Sequence, residues 1–296
     1  MLKELDIKTD IDITEMTSLK IGCVAKFFVE ISSISQLKKV LNFCSKENIP
    51  YYILGNGTNV LVGNEYYNGL IIKFGNKFSK CVVNGERIVA NCGINMFELN
   101  KIACDNCLSG LEFSYGIPAS LGGMVISNAG AFGGQISDVV EYVQVLENGK
   151  LKKYYNKDCE FGYRKSRFEY ACIVLNIALK LKKSTKSAII KKMNENLNKR
   201  KSSQPYNAKS CGSVFKRKDN IIVSKWIDEK GLKGLKCNDA EISKIHAGFI
   251  VNNGKATCQD FIYLIKYIRN LFFQEFKQNL ELEIKLFNVN EQIGEN

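Results

Sequence analysis

Residues 116–134 constrain this chain most, because glycine, alanine and serine make up most of that stretch. Side chains this small pack poorly against one another, and glycine loses more conformational entropy on folding than any other residue. A bulky, flat, phosphorylated cofactor would fill the space that such a backbone leaves. A tight loop between packed strands is the alternative interpretation, and we favour the cofactor.

A second glycine-rich loop, residues 55–59, directly follows an apolar strand predicted at 51–54. Glycine lets the backbone approach a ligand closely, and successive bare N–H groups form a nest for an anion. The loop differs from the dinucleotide fingerprint of doubly wound folds, because residues 60–62 resume a strand and no helix opens there. On spacing alone, a plain hairpin turn explains the loop equally well.

The order of the predicted elements indicates an α+β fold. Helical spacing is found at 34–47, 96–107, 187–200, 222–229 and 258–276, and strand patterns at 26–31, 60–62, 70–74, 87–91, 139–147, 172–181, 248–251 and 280–287. Strand and helix do not alternate regularly, which argues against a doubly wound sheet. A length of 296 residues suggests two domains or three small ones.

Composition excludes several classes of protein. No apolar run reaches the ~18 residues of a membrane helix, and residues 1–10 do not resemble a signal peptide, so we expect a cytoplasmic protein without membrane insertion. The 11 cysteines are odd in number and scattered, which favours reduced thiols. Cys104 and Cys107 form a CxxC pair, but His246 is the only histidine, so we expect no metal site.

The net charge is 42 − 30 = +12. Basic clusters at 180–183, 191–192 and 199–201 lack interleaved aromatic residues, which favours solvated faces over a polynucleotide track. We therefore expect no nucleic-acid partner. A phosphate-bearing small substrate would still be attracted by such a field.

Ordered motifs along the chain carry a resemblance to one family. They are residues 17–22 (TSLKIG), 161–166 (FGYRKS), 204–205 (QP), 211–216 (CGSVFK), 231–234 (GLKG), 243–252 (SKIHAGFIVN) and 280–284 (LELEI). Together with the two glycine-rich loops, they resemble the UDP-N-acetylenolpyruvoylglucosamine reductase family over residues 17–287. The resemblance implies a vanillyl-alcohol-oxidase-type FAD-binding fold of two subdomains, 13–74 and 75–185. An α+β substrate-binding domain, 186–296, would follow, with a C-terminal strand near 280–287 that returns toward the flavin.

The same resemblance implies an oxidoreductase of peptidoglycan synthesis. NADPH would reduce bound FAD, and the flavin would return hydride to C3 of the enolpyruvyl ether of UDP-N-acetylglucosamine, giving UDP-N-acetylmuramate. Negative charge at C2 would then require positive donors and a proton. We expect the enzyme to be a monomer.

The resemblance places the FAD diphosphate on residues 55–59 and 116–123, and the isoalloxazine ring near 128–133. The implied cofactor-binding residues are Gly55, Asn56, Gly57, Thr58, Asn59, Val60, Gly116, Ile117, Pro118, Ala119, Ser120, Gly122, Gly123, Asn128, Ala129, Gly130, Ala131 and Gly133.

Three residues resemble the catalytic residues of the family by position. Arg164 would stabilise the substrate carboxylate, Ser213 would donate the proton to C2, and Glu283 would be the acidic partner that helps to hold the intermediate. The implied substrate-binding residues are Tyr163, Lys216 and Arg217. Plainer interpretations are a surface arginine, a strand-edge serine and the solvent face of a strand.

The sequence departs from the family's pattern at three places. Ala119 stands where glycine is frequent, Arg217-Lys218 replaces a frequent Asn-Pro, and Asn238-Asp239 replaces a frequent glycine pair. Only 213 − 164 = 49 positions separate Arg164 from Ser213. Because this leaves no room for the substrate-covering loop of longer members, we expect the short subclass that lacks it.

Two other functions stay open at this point. An FAD-dependent sugar or alcohol oxidase of the same fold would keep the flavin but would have no need of a proton donor to C2. A basic nucleic-acid-binding module would bind polynucleotides with a steep salt dependence and would carry no flavin.

Overall fold

The structure is a computed structural model that describes residues 2–169 and 172–289. Its α-helices are α1 (Ile34–Lys46), α2 (Met96–Asp105), α3 (Leu121–Ile126), α4 (Lys186–Ser203), α5 (Val223–Glu229) and α6 (Cys258–Phe276). Its strands are β1 (Lys8–Asp12), β2 (Val24–Ile31), β3 (Tyr51–Ile53), β4 (Val60–Val62), β5 (Tyr66–Phe74), β6 (Cys81–Asn84), β7 (Arg87–Asn91), β8 (Leu108–Ser109), β9 (Gly130–Ala131), β10 (Gly134–Gln135), β11 (Val140–Glu147), β12 (Lys150–Tyr155), β13 (Ile173–Lys180), β14 (Lys182–Lys183), β15 (Lys209–Ser213), β16 (Lys236–Cys237), β17 (Ala240–Ile242), β18 (Phe249–Asn252) and β19 (Lys285–Phe287).

The chain forms two compact units. Within the described residues, the first unit comprises residues 2–8, Phe28–Asn56 and 70–200, and the second comprises Thr9–Phe27, Gly57–Gly69 and residues 201–289. Each unit therefore gathers segments that are distant in sequence.

The first unit is built around an antiparallel sheet with the strand order β12-β11-β13-β7-β6. Strand β13 is buried on both faces, since Leu175, Ile177 and Leu179 on one face and Val174 and Ala178 on the other are all in the core, as expected for a central strand of a covered sheet. The short helix α3 packs against β13. This packing holds the glycine-rich stretch that contains α3 against a rigid sheet.

Helix α1 and the parallel pair β3–β5 frame the first glycine-rich loop. The Ser33 side chain caps α1 by accepting a hydrogen bond from the Gln36 N–H, and Leu37, Val40 and Cys44 form its buried face. Tyr51 to Ile53 pair in parallel register with Leu70 to Ile72. The loop that starts at Gly55 therefore leaves the end of a fixed strand.

The second unit combines a sheet of order β15-β18-β17-β16 with helix α6, which packs against β16 and β17. A capping box begins α6: Asp260 N–H donates to Thr257 Oγ1, and Thr257 N–H donates to the Asp260 carboxylate. The Trp226 and Phe272 rings meet edge to face with centroids 5.0 Å apart. Strand β19 pairs in parallel with β4, so that Lys285 faces Val60.

Most predicted elements are confirmed to within a few residues, and α6 and β7 have the predicted bounds. The strand predicted at 280–287 is wrong in its first half, because regular pairing begins only at Lys285. Upstream of it, Leu282 forms an isolated bridge with Phe215. Ile284, the residue before β19, is buried in the hydrophobic core. The alternation of apolar residues at 280–284 therefore reflects which side chains are buried, and it does not indicate a continuous run of paired strand residues.

Candidate active site

In the first unit, the two glycine-rich loops lie against each other. Asn56 Nδ2 donates a hydrogen bond to Pro118 O at 3.0 Å. A Cβ built on Gly55 would lie 3.1 Å from Ser120 Oγ, so a larger side chain there would press on the second loop. Residues 55–56 therefore lie beside residues 118 and 120, as expected for two stretches that would bind one ligand.

The second loop is fixed by its own backbone and by a cap. Ser120 Oγ accepts a hydrogen bond from Gly123 N–H and so caps α3. Met96 N–H donates to Ala119 O at 3.0 Å, and Gly122 N–H donates to Cys92 O at 2.8 Å. Gly122 is buried for packing, because a Cβ there would lie 2.9 Å from Cys92 Cβ. Gly123 is exposed, so its backbone is accessible to a ligand.

Residues 128–133, the segment expected near the isoalloxazine ring, contact the turn at residues 162–165, called here the Arg164 turn. Asn128 Nδ2 donates to Gly162 O at 2.9 Å, and Arg164 Nη2 donates to Gly130 O at 3.3 Å. The Arg164 guanidinium also lies 5.3 Å from the Tyr163 ring centroid. Arg164 has a φ of +53°, an unusual conformation that costs a residue with a side chain about 1–3 kcal/mol. Such strain persists only where surrounding contacts fix it, as the contacts to residues 128–130 do here.

In the second unit, Ser213 and Glu283 lie on neighbouring segments. Glu283 N–H donates to Val214 O at 2.8 Å, directly beside Ser213. Asn59 Nδ2 donates to Glu283 O at 3.1 Å. Asn59, which lies in the part of the first loop that belongs to this unit, is thus hydrogen-bonded to the backbone of Glu283, one of the expected catalytic residues.

Ser213 itself follows an irregularity in its sheet. The register of β15 against β18 shifts between Ser210 and Ser213, and Gly212 between them has a φ of +86°. A bulge of this kind redirects a side chain out of the regular alternation. The Ser213 hydroxyl lies 3.5 Å from Phe215 O, a long contact, and the residue is partly exposed. The hydroxyl is therefore accessible to a substrate.

Ser18 is a residue that the sequence analysis did not single out. Its hydroxyl donates to Ser210 O at 2.6 Å, and its N–H donates to Gly57 O at 3.0 Å. Gly57 adopts a φ of +64°, and a Cβ there would lie 2.8 Å from the Thr17 Cα. The motif at residues 17–22 includes Ser18 but does not by itself indicate a role for this residue. Ser18 links the first loop to the strand that ends at Ser213.

The expected substrate-binding residues have different surroundings. The Lys216 ammonium pairs with the Glu281 carboxylate at 3.1 Å, and Lys216 N–H donates to Glu281 O at 3.0 Å. Tyr163 is 52% exposed, and Arg217 is also exposed. An anionic substrate would compete with Glu281 for the Lys216 ammonium.

Two reactive residue types are held in non-reactive states. Burial raises the pKa of the Cys211 thiol to about 12, so it stays protonated and is a poor nucleophile. Burial lowers the pKa of His246, and its Nδ1 accepts a hydrogen bond from Gly248 N–H at 3.1 Å. This histidine therefore shapes its turn. Over residues 2–169 and 172–289, no group of three or more His, Cys, Asp or Glu is placed to hold a metal ion.

The described helices include none whose length and apolar character would allow it to cross a membrane.

The residues present fit an FAD molecule. In the first unit, Gly55 and Gly123 are exposed, and a Cβ at Gly133 would meet nothing within 4 Å, so the backbone is open to a ligand at these positions. The side chains of Asn56, Ser120 and Asn128 are engaged within the protein. Contacts to a flavin nucleotide at these positions would therefore come mainly from backbone groups.

Comparison with known proteins finds two family models that match this chain. Residues 25–154 match the family model described as an FAD binding domain, and residues 204–287 match the C-terminal domain of UDP-N-acetylenolpyruvoylglucosamine reductase. The reductase of that name from Clostridium novyi is 38% identical over 97% of this chain and 94% of its own length. Its counterpart from Pseudothermotoga lettingae is 41% identical over 95% of this chain and 98% of its own length.

A solved structure extends the comparison to three dimensions. The crystal structure of the reductase (MurB) from Thermus caldophilus aligns with a TM-score of 0.82 at 34% identity, covering 95% of this chain and 99% of that one. The α+β fold with an FAD-binding domain is confirmed, and fold and site together define an FAD-containing oxidoreductase. More specifically, the chain belongs to the UDP-N-acetylenolpyruvoylglucosamine reductase family.

Proposed function

We propose that this protein reduces the enolpyruvyl ether of UDP-N-acetylglucosamine enolpyruvate to UDP-N-acetylmuramate for peptidoglycan synthesis, with NADPH as the hydride donor. Bound FAD supplies the hydride carrier between the two. The observation that carries the proposal is the placement of Ser213 and Glu283 on hydrogen-bonded neighbouring segments beside Asn59. Two glycine-rich loops alone would suit many nucleotide ligands, whereas an acid and a hydroxyl together suit protonation of a carbon.

Arg164 has the role of an electrostatic stabiliser in this proposal. Hydride addition at C3 places negative charge on C2 and on the adjoining carboxylate, and a fixed guanidinium lowers the energy of that charge. The turn at 162–165 supports this role because contacts to residues 128 and 130 hold it before any substrate binds. A preorganised cation contributes more than a mobile one, because it needs no reorganisation during the reaction.

Ser213 donates the proton to C2, and Glu283 acts with it at the developing enol. A serine hydroxyl is a weak acid, so it serves only when the geometry aligns it with the carbon. The register shift before Ser213, at Gly212, supports the assignment, because it changes the direction of the serine side chain relative to the regular alternation of β15. The hydrogen bonds on the Glu283 backbone fix the acid on the adjacent segment.

Lys216, Arg217 and Tyr163 bind the substrate. The two cations suit the diphosphate of a UDP-sugar, with Arg217 able to form paired hydrogen bonds. FAD contacts come mainly from backbone groups of the residues assigned to it in the two glycine-rich loops. The division into two FAD-binding subdomains and a substrate-binding domain, and membership of the short subclass, belong to the same proposal.

NADPH consumption that depends on the enolpyruvyl UDP-sugar tests the function. The purified protein is expected to be yellow, to oxidise NADPH only when the sugar is present, and to release the reduced sugar. Peroxide formation from a sugar or alcohol without NADPH would instead favour the oxidase. Absence of both activities in flavin-loaded protein would refute the proposal.

We also propose that the enzyme works in the cytoplasm as a monomer, because nucleotide sugars and NADPH are cytoplasmic metabolites and a single chain supplies every assigned residue. Light scattering coupled to gel filtration checks the oligomeric state, and a dimer mass would contradict it.

A further inference from the structure

The Asn128 side chain forms several hydrogen bonds within the first unit. It is 2% exposed, and Asn128 Oδ1 accepts a hydrogen bond from Ser137 N–H at 3.1 Å. Its amide nitrogen donates to Gly162 O at 2.9 Å and to Gln135 Oε1 at 3.3 Å. A side-chain amide has two N–H donors, so both are used inside the protein. The amide cannot donate to a flavin without giving up one of these bonds.

One of those bonds reaches the turn that carries Arg164. Gly162 and Lys165 form a two-residue antiparallel bridge, with N···O distances of 3.0 and 3.3 Å, and Arg164 lies within that turn. Ser166 Oγ donates to Ile126 O at 2.7 Å and holds the far side of the turn. The turn is thus attached to residues 126–130 on both sides, and Asn128 supplies the attachment before Arg164.

The chemistry of the position favours asparagine. Its φ of +40° lies in the left-handed region, which asparagine enters more readily than most residues. An aspartate of the same shape could still accept from Ser137 N–H, but it would place an oxygen against the Gly162 carbonyl. Only the amide satisfies a donor on one side and an acceptor on the other.

We propose that Asn128 is a positioning residue: it holds the turn at 162–165 so that the Arg164 guanidinium is fixed before the substrate arrives. This inference rests on the proposed function, because it assigns Arg164 to the half-reaction with the enolpyruvyl sugar. In this proposal the Asn128 side chain does not bind FAD directly but acts through the position of Arg164.

Two variants test the role, and a third is the control. Asn128→Asp keeps the shape and the bond from Ser137 but loses both donors, and Asn128→Gly removes the side chain without backbone strain. Asn156→Asp is the matched control, because Asn156 Nδ2 also donates to two carbonyls, Ser137 O at 2.7 Å and Val140 O at 2.8 Å. Neither of those carbonyls belongs to the Arg164 turn.

Stopped-flow measurements on flavin-loaded protein separate the two half-reactions. Both Asn128 variants are expected to slow reoxidation by the enolpyruvyl sugar at least tenfold, with reduction by NADPH and the Kd for FAD within twofold of the parent. The control is expected to stay within twofold throughout. In an Arg164→Ala background, either Asn128 variant is expected to cause less than a twofold further loss, because residues acting as one unit are not additive.

Limited trypsin digestion gives a readout without activity. Cleavage after Arg164 or Lys165 is expected to be several-fold faster in both Asn128 variants than in the parent and the control. Cleavage rates equal to those of the parent overturn the inference. The inference is also overturned if an Asn128 variant slows reoxidation in the Arg164→Ala background as much as it does in the parent. A weakened Kd for FAD with both half-reactions slowed would make Asn128 a cofactor ligand instead. If the parent itself fails to use the enolpyruvyl sugar, the proposed function fails, and the digestion rates alone then decide whether Asn128 holds the turn.

Discussion

Replacing Gly133 by alanine tests whether a ligand fills the space beside residues 128–133. Gly133 has a φ of +83°, and a Cβ there would meet no protein atom within 4 Å. Gly85 is the matched control, with a φ of +59° and equally open space in a turn between β6 and β7. Both substitutions place alanine in the left-handed region, which costs about 1–2 kcal/mol. We therefore expect Gly133→Ala and Gly85→Ala to lower the free energy of unfolding of FAD-free protein by similar amounts.

The two variants should differ once FAD is added. A methyl group that intrudes into a filled binding site costs about 1–3 kcal/mol, and each 1.4 kcal/mol is about tenfold in Kd. Gly133→Ala is therefore expected to weaken FAD binding about tenfold to 100-fold, and Gly85→Ala to leave it within twofold. Urea unfolding measures the first effect, and titration of flavin fluorescence with FAD-free protein measures the second. Parent-like FAD affinity in Gly133→Ala would show that residues 128–133 do not line the cofactor.

Three further predictions concern catalysis and stability. Ser213→Ala should leave flavin reduction by NADPH nearly intact and slow sugar reduction greatly, and equal loss of both half-reactions would contradict proton donation by Ser213. Arg164→Ala should slow the half-reaction with the sugar by about 100-fold to 1,000-fold, the usual effect of removing one preorganised donor, and an unchanged rate would remove Arg164 from the mechanism. Burial raises the pKa of Asp260, but hydrogen bonds from Thr257 and Asn238 outweigh it and hold that pKa below 3.8. Because a depressed carboxyl pKa stabilises the fold above the unfolded pKa, stability should fall as the pH drops below about 4. In Asp260→Asn, the free energy of unfolding by urea should differ less between about pH 5 and about pH 2.5 than in the parent. A pH dependence equal to that of the parent would contradict the role of Asp260.

The helices were the most predictable part of the fold. In α6, an apolar face with period 3.6 coincides with a capping box at Thr257, so local signals and packing agree. The exposed edge strand β12 was missed, since its lysines and exposed positions give no alternation to read. Helix α3 was also missed, because its glycines disfavour a helix. The Ser120 cap and packing against β13 determine it instead.

The sequence predicts which residues form the site, and these assignments stay a prediction, but it does not predict the connections between them. Glycine-rich composition and motif order pointed to the loops, to Arg164 and to Ser213. Nothing in a linear sequence indicated that Asn59 bonds to the Glu283 backbone, or that Asn128 bonds to the Arg164 turn. These contacts join residues 224 and 34 positions apart, and only the folded chain brings them together.

The binding of FAD to folded protein tests the central claim most directly. FAD at about 100 times its Kd adds about 2.7 kcal/mol of stability, which is about 5–10 °C in Tm for a chain of this size. We expect flavin absorbance to remain with the protein after gel filtration and the Tm to rise by that amount. Colourless protein whose Tm does not change with excess FAD would contradict the entire assignment of the two glycine-rich loops.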